Sequence, residues 1–232
     1  MPALPAPQSS FNFPQKQTLN YTVDWRVFPA GITAFHLETD GDTERVSVTA
    51  DSIGAVNLLY RVSDKFQSAF NRKTGCSANF NKQAIEGHRQ VNTDLRFDYA
   101  QKKAVLDEKN LVKGTSKHQE VQIPECVTDS LSAIFYAASQ PMQIGQTIQF
   151  PLGDASHTVP VIMKVEGKEE IKTPSGTYQA IRVEPTADSG VVKNRGQIWI
   201  WYTDDERHIP VQMRARLFWG TITFHLTSIE PK

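Results

Sequence analysis

Apolar and polar residues alternate along most of the chain, with turn-forming residues at short intervals. The clearest stretch is Leu19–Val27, in which every second residue is apolar, and alternation resumes after the Pro29–Gly31 interruption. A period of two is typical of β-strands, because successive side chains point to opposite faces. Similar segments follow at 45–53, 59–70, 87–99, 103–106, 120–123, 147–152, 158–169, 177–184, 197–203, 211–218 and 221–229. About a dozen strands without intervening helices predict an antiparallel sheet.

One segment, residues 129–139, has the spacing of a helix instead. Its apolar residues share one helical face: Leu131, Ile134, Phe135 and Ala138. Thr128 or Asp129 can cap its N-terminus, and Pro141 follows its end. We therefore predict a mainly β fold, a single large curled antiparallel sheet or open β-barrel. One main α-helix at about 129–139 lies against the sheet or across its open side.

The N-terminal segment differs from the rest in composition. Residues 1–17 contain four prolines and no apolar run of the kind found in a signal peptide. We expect a flexible, extended lead-in, followed by a single β-rich domain over 18–232. Two short stretches of that domain are alike, Gly31–Leu37 (GITAFHL) and Gly220–Leu226 (GTITFHL). They predict two strands that are entered through a glycine bend and lie near each other in the sheet.

Charge and composition exclude several classes of protein. The 232 residues carry 25 Lys and Arg against 25 Asp and Glu, so the chain has no global field to attract nucleic acid or anionic membranes. An apolar content of 39% is too high for a disordered chain. No tract is long enough to cross a bilayer, so we expect no transmembrane segment.

The cysteines are Cys76 and Cys126, both in turn-like surroundings. Neither belongs to a CxxC redox motif or to a zinc-binding spacing. From the residues alone, a disulfide between them and two buried free thiols are equally consistent with the sequence.

The C-terminal half carries a series of short motifs in a fixed order: TDSLSAIFY (128–136), PMQIG (141–145), VEGKE (165–169), TPSGTY (173–178) and WIWYTDDERHIPV (199–211). With the opening Tyr21–Trp25 and Ala30-Gly31, this order resembles the bacterial envelope family catalogued as domain of unknown function 3108. The resemblance covers residues 19–229, nearly all of the predicted domain.

The resemblance implies an exported, periplasmic protein whose signal peptide has been removed. It implies no established activity and no set of catalytic residues. An oxidising compartment favours the bridge between Cys76 and Cys126. The hairpin that begins at Trp199 is also similar to one in periplasmic lipoprotein carriers, which are open β-barrels with a helical lid over an apolar cavity. That likeness concerns the fold and transfers no function by itself.

We predict a ligand cavity between the helix and the sheet, lined by Leu131, Ile134, Phe135, Trp199 and Trp201. The two tryptophans project from the same face of their strand, and Ile198, Ile200 and Tyr202 project from the other. The aromatic face is either a lipid-contacting wall or part of an ordinary aromatic core.

Chemical motifs are scarce. We predict no catalytic residues, no cofactor and no metal site, because nucleophile elbows, phosphate loops and zinc spacings do not occur. The one constellation that could hold a metal is His36, Glu38 and His225, if the end strands are neighbours. The acidic run Asp204–His208 is interpreted as a solvated turn.

The sequence favours a non-enzymatic cell-envelope protein, either an interaction module or a domain that binds a lipid or other apolar ligand. The expected partner is that ligand or another envelope protein. A small-molecule carrier requires an apolar cavity of at least about 300 Å³, whereas a filled interior favours the interaction module. An enzyme or metal-binding protein with its site near His36 is the alternative.

Overall fold

The computed structural model describes residues 1–154, 157–194 and 196–231. The strands are β1 Lys16–Trp25, β2 Phe28–Asp40, β3 Thr43–Ser52, β4 Val62–Asn71, β5 Ser77–Glu86, β6 Arg89–Asp98, β7 Lys103–Asn110, β8 Thr115–Gln122, β9 Thr147–Gly153, β10 Thr158–Thr173, β11 Gly176–Thr186, β12 Gln197–Thr203, β13 Pro210–Leu217 and β14 Gly220–Pro231. The helices are α1 Gly54–Leu59, α2 Ser132–Ala138 and α3 Gly190–Asn194. Within these ranges, no helix has both the length and the apolar character needed to cross a membrane.

All fourteen strands belong to one antiparallel sheet, in the order β8-β7-β6-β5-β4-β3-β2-β1-β14-β13-β12-β11-β10-β9. The order describes two meanders, β1–β8 and β9–β14, that join where β1 pairs with β14. This ladder runs from Gln17 opposite Pro231 to Trp25 opposite Ile222. Since β8 and β9 remain as edges, the sheet is not closed into a barrel. The predicted mainly β fold with a curled or open sheet is confirmed.

The repeated heptapeptides lie on either side of β1. Gly31–Leu37 belongs to β2 and Gly220–Leu226 to β14, and both strands pair with β1 along its length. The two stretches are therefore next-nearest neighbours in the middle of the sheet, close together as predicted.

The helix α2 is shorter than predicted, because its capping residue lies outside the helix. The Asp129 side chain is buried, and its Oδ1 accepts hydrogen bonds from the backbone N–H groups of Leu131 (2.9 Å) and Ser132 (3.0 Å). The hydroxyls of Ser68 in β4 and Ser77 in β5 donate to its Oδ2. One carboxylate therefore starts the helix and ties it to the sheet.

The C-terminal end of α2 is held by a second group of contacts. The Tyr202 hydroxyl donates to the Ile134 carbonyl (2.7 Å), and His208 Nδ1 donates to the Ala138 carbonyl (2.6 Å). Both donors come from the β12–β13 hairpin. Because they are fixed by the second meander while Asp129 is held by the first, α2 links the two halves of the concave face.

The segment before β1 runs along α2 instead of standing apart from the sheet. The Tyr136 hydroxyl donates to the Pro5 carbonyl (2.7 Å), and the Gln8 N–H donates to the Ser139 carbonyl (3.0 Å). Phe13 is buried and packs edge-on against Phe70. These contacts give the Pro-rich residues a defined place beside the helix, whereas their composition predicts a flexible lead-in.

A disulfide joins Cys76 to Cys126, with a Cα–Cα distance of 5.1 Å. Cys76 immediately precedes β5, and Cys126 lies in the segment that leads from β8 to α2. The bridge predicted from the family resemblance is present. It fixes the approach to Asp129, which lies three residues further along the chain.

We predict that Asp129→Ala lowers the free energy of unfolding by about 2–4 kcal/mol, because two buried serine hydroxyls and two backbone N–H groups lose their acceptor. Urea denaturation followed by circular dichroism measures the difference. Asp98→Ala is the matched control, since Asp98 caps an exposed turn by one hydrogen bond to the Gln101 N–H. Equal losses in both variants would contradict the anchoring role of Asp129.

We also predict that reduction of the disulfide lowers the free energy of unfolding by about 4 kcal/mol, because the unfolded chain gains the freedom of a 50-residue loop. Alkylation of the unfolded, unreduced protein followed by mass spectrometry should detect no labelled cysteine. The variant Cys76→Ser with Cys126→Ser is the control for the reductant, and its stability should not respond to it. A labelled thiol in the unreduced wild type would refute the bridge.

Candidate functional site

A cavity of about 300 Å³ lies between α2 and the concave face of the second meander. The helix contributes the small or branched side chains of Ala133, Ile134 and Ala137. The sheet contributes apolar side chains from every strand between β9 and β14: Phe150, Leu152, Val161, Met163, Val183, Pro185, Ile198, Ile200, Tyr202, Met213, Ala215 and Phe224. Phe35 of β2 and Val192 of α3 complete the wall.

The cavity exists because α2 presents small residues to the sheet. Ala133 and Ala137 lie one helical turn apart and therefore share the face that covers β9–β14. Ser130, in the turn before the helix, is another small residue in this wall. Larger residues at these positions would fill the space, as they do where Phe135 contacts Phe35 at a ring distance of 6.1 Å.

Few polar groups reach the cavity, and the most buried of them is already satisfied. The Tyr202 hydroxyl donates to the Ile134 carbonyl, and burial raises the pKa of Tyr202 above its usual value, so the phenol stays protonated. Arg214 also borders the cavity, and its guanidinium lies 5.3 Å from the Trp201 ring centroid. The arrangement suits an apolar molecule, since it offers little to a polar one.

The predicted cavity residues occupy three different environments. Ile134 lines the cavity. Leu131 and Phe135 are buried in the core cluster next to it. Trp201 is buried in that same cluster and Trp199 packs against it, but both also line a separate polar groove, together with Glu166, Arg182, Glu184, Gln197 and Arg214.

Alternation along β12 accounts for the position of the two tryptophans. Trp201 Nε1 donates to Glu169 Oε1 (2.8 Å), in a region of the sheet surface that also carries the Arg182–Glu169 ion pair. The residues of β12 that reach the cavity have the opposite parity: Ile198, Ile200 and Tyr202. Period two identifies the two faces of a strand, but it does not say which one is concave when both are apolar.

An apolar strip leads from the cavity to one end of the sheet. Ala215 lines the cavity and pairs with Ile222, which in turn pairs with Trp25 at the end of β1. Residues that lie directly opposite each other on neighbouring strands share a face. The strip therefore ends at the connection between β1 and β2.

The proposed metal ligands are not brought together. His36 pairs with Thr18 of β1, whereas His225 pairs with Thr22. Four residues along a strand correspond to about 13 Å, and β1 lies between the two histidines. Glu38 borders the same polar groove of the surface as His36, and His225 lies outside that groove. Across the described ranges, no three His, Cys, Asp or Glu side chains are grouped as a metal site would require.

The acidic turn Asp204–His208 is a hydrogen-bonded hairpin connection. Asp205 accepts from the Thr203 hydroxyl (2.7 Å) and from the Arg207 guanidinium (2.8 Å). These interactions, above all the bond from Thr203, lower the pKa of Asp205 against the opposing effect of burial. The turn positions His208 against α2, so its role is in the packing of the helix.

A group of charges lies on the face of the first meander that carries Phe66. Lys82 Nζ is 2.7 Å from Glu86 Oε1 and 3.6 Å from Asp64 Oδ2, and it lies 5.3 Å from the centre of the Phe66 ring. Burial raises the pKa of Asp64, with the charge of Lys82 opposing it. These side chains satisfy one another and form a partly buried ion cluster.

A buried carboxylate, Glu44, is not among the residues predicted from the sequence. Glu44 shares the buried face of β3 with Val46 and Val48 and is completely inaccessible to solvent. Its Oε2 accepts from the Thr39 hydroxyl (2.6 Å), while Oε1 has no hydrogen-bond partner among the described residues. Burial raises the pKa of Glu44 to about 7, against the opposing effects of Thr39 and Arg72. The alternation of β3 is the signal that could have identified it.

We predict that Glu44 makes the protein less stable as the pH rises. The pKa of Glu44 is about 7 in the folded protein, against 4.5 for a glutamate in the unfolded chain. Its contribution to stability is therefore complete below pH 4.5 and is lost as the pH rises through 7. Glu44→Gln should remove this dependence, which amounts to about 3 kcal/mol between pH 4.5 and pH 8.

Urea denaturation at several pH values checks this prediction. The exposed Glu38 of the neighbouring strand provides the control, and Glu38→Gln should follow the wild-type curve. Parallel curves for the wild type and Glu44→Gln over this range would contradict the assignment.

Comparison with solved structures supports the fold alone. The crystal structure of a β-barrel-like protein with domain of unknown function DUF1849 from Brucella abortus has a TM-score of 0.60 at 9% identity, over 94% of this chain and 98% of that chain. A candidate exported protein with a YmcC-like fold from Bacteroides fragilis has a TM-score of 0.41 at 9% identity, over 95% and 99%. A candidate lipoprotein from Parabacteroides distasonis has a TM-score of 0.33 at 11% identity, over 95% and 98%.

No curated protein matches the sequence. The family described as "Protein of unknown function (DUF3108)" matches residues 20–227, which includes β2–β13 completely and most of β1 and β14. The match contains α2 and all the sheet residues that line the cavity. This chain therefore belongs to the DUF3108 family.

Proposed function

We propose that this protein is a non-enzymatic cell-envelope protein that binds an apolar ligand, such as a lipid acyl chain, between α2 and the second meander. The observation that carries the proposal is the apolar cavity of about 300 Å³. This volume lies at the lower end of the range of about 300–1,000 Å³ that is usual for small-molecule sites. A single acyl chain fits this volume better than a large lipid.

The wall of the cavity supports selection by shape and hydrophobicity. Met163 of β10 and Met213 of β13 both line it, and a thioether side chain adapts easily to different apolar shapes. Transfer of a hydrocarbon chain from water into such a site gains about 0.8 kcal/mol for each buried methylene group. Binding should therefore strengthen with chain length until the cavity is full.

The location in the envelope rests on the disulfide. A bridge between Cys76 and Cys126 is stable in the periplasm or outside the cell and is rare in a reducing cytoplasm. We propose a periplasmic location on this ground. We also propose that residues 18–232 act as a single domain, which the continuity of the sheet supports.

The alternative of an enzyme has less support from the geometry. Catalysis in this cavity would need several polar groups aimed at one point, and the buried Tyr202 hydroxyl is already bound to the helix backbone. The other candidates, His36 of β2 and His225 of β14, lie opposite different residues of β1. Binding of an apolar ligand requires no polar groups beyond those already present in the cavity.

We predict that the protein binds a fluorescent fatty acid and that Ala215→Trp weakens this binding at least tenfold, because the indole occupies the cavity. Titration with a dansylated fatty acid measures the affinity, and lipid extraction of the native protein identifies any ligand that copurifies. Arg216→Trp is the matched control, because its side chain projects from the other face of β13 and is exposed.

The control variant should bind as the wild type does. Failure of the wild type to bind the probe, without a copurifying lipid, would refute the proposal. Equal affinity of Ala215→Trp and the wild type would show that the probe binds elsewhere.

A further inference from the structure

Large apolar side chains are exposed at one end of the sheet. We call this end the apolar rim; it consists of the connections 25–28, 53–61, 87–88, 111–114 and 217–220. Phe218 is fully exposed, and Leu58 and Leu59 of α1 are each 87% exposed. At the opposite end, the hairpin connections contribute none of the exposed large apolar side chains of the described residues.

Three neighbouring connections of the apolar rim form a continuous patch. The rings of Trp25 and Trp219 lie 6.3 Å apart, and the Arg26 N–H donates to the Thr221 carbonyl. The Ile53 N–H, just before α1, donates to the Ala30 carbonyl of β2. The patch therefore extends from the β13–β14 turn through the β1–β2 turn to α1.

The helix α1 exposes apolar side chains to water, which is unfavourable for the isolated protein. None of its six residues is buried, and its last two are leucines. A helix this short is not stable on its own, and apolar side chains that protrude from it gain nothing from the fold. Val27, which is 82% exposed at the tip of the β1–β2 turn, is placed in the same way. Such exposure is expected of side chains that enter an apolar environment outside the protein.

The charges of the apolar rim have one sign. Its connecting residues include Arg26, Arg61 and Lys113 but no Asp or Glu. Acidic residues at this end of the sheet lie in the strand ends below the rim (Asp24, Asp51 and Glu86) or in the connections nearest the β9 edge (Asp154 and Asp188). Glu86 is paired with Lys82 and Arg89. The chain as a whole is neutral, so this local excess of positive charge is a property of the rim and not of the composition.

We propose that the apolar rim docks on the surface of an anionic phospholipid membrane. Phe218, Leu58, Leu59 and Val27 would enter the acyl boundary. Trp25 and Trp219 would lie at the level of the headgroups, where amphipathic indole rings are favoured. Arg61 and Lys113 would face the lipid phosphates, each strengthening attachment to an anionic surface about fivefold.

A membrane suits this surface better than a second copy of the chain. The apolar residues lie on the tips of separate turns, which penetrate a fluid layer more easily than they pack against a rigid partner. In a two-fold dimer through the rim, Arg26, Arg61 and Lys113 would face the same residues of the other copy. Anionic phospholipid headgroups carry the opposite charge and avoid this repulsion.

The first test uses vesicles of phosphatidylcholine with and without phosphatidylglycerol, and measures binding by co-sedimentation. Phe218→Ser with Leu59→Ser should weaken binding to both vesicle types at least tenfold. Arg61→Gln with Lys113→Gln should weaken binding only to the anionic vesicles. Ile144→Ser is the matched control, since Ile144 is 60% exposed and lies outside the rim.

The second test locates the contact with brominated lipids, which quench nearby tryptophans. The variant Trp199→Phe with Trp201→Phe keeps only the rim tryptophans, and its fluorescence should be quenched. Trp25→Phe with Trp219→Phe keeps the other pair, which should stay bright. Unaltered vesicle binding by the Phe218 and Leu59 variant, or quenching of the second pair alone, would overturn the proposal.

Two further measurements distinguish membrane docking from self-association and from fatty-acid binding. Sedimentation velocity without lipid should give a monomer, and a dimer that dissociates on Phe218→Ser would assign the rim to self-association and overturn the membrane proposal. Ala215→Trp should bind vesicles as the wild type does. Vesicle binding can therefore fail while fatty-acid binding persists, and the reverse also holds.

Discussion

The pairing of β1 with β14 is the constraint on which the architecture depends. Without this ladder, the chain would form two separate meanders, each with two open edges. With it, the first and last strands become the centre of one sheet, and edges remain only at β8 and β9. Leu19, Tyr21 and Leu226, all buried along this seam, belong to the same core cluster as α2. The seam therefore fixes the curvature that gives the helix its place.

The two halves of the concave face have different chemistry. In the second meander, small residues of α2 leave a space that the strands line with apolar side chains. In the first meander, the corresponding surface carries the Asp64, Lys82 and Glu86 cluster. An apolar molecule can therefore be held only on one side of the helix. The strip through Ala215, Ile222 and Trp25 connects that side with the exposed end of the sheet.

Local pattern predicted most of the strands, the position of α2 and Asp129 as one of two candidate caps, because these features depend on neighbouring residues. It missed β5, which is mostly polar, and the short helices α1 and α3. The cavity was only partly predictable: Ile134 lines it, but Trp199 and Trp201 lie on the other face of β12. Both faces of that strand are apolar, so its orientation depends on tertiary packing. A site at His36 and His225 required the end strands to be neighbours. Both β2 and β14 do flank β1, but the register along β1 separates the two histidines, and register cannot be derived from the pattern alone. The apolar rim depends on which turns share an end of the sheet, which needs the complete strand order.

The disulfide and the β1–β14 ladder differ in how much of the chain must be folded before each can form. The bridge joins residues 76 and 126, both of which precede α2, whereas the ladder joins residues 17–25 to residues 222–231. A long loop costs more entropy to close, and contacts between distant residues form slowly. The covalent link can therefore form while the C-terminal strands are still unfolded. Because Phe224 of β14 is part of the cavity wall, the binding space is complete only after the end of the chain has docked beside its beginning.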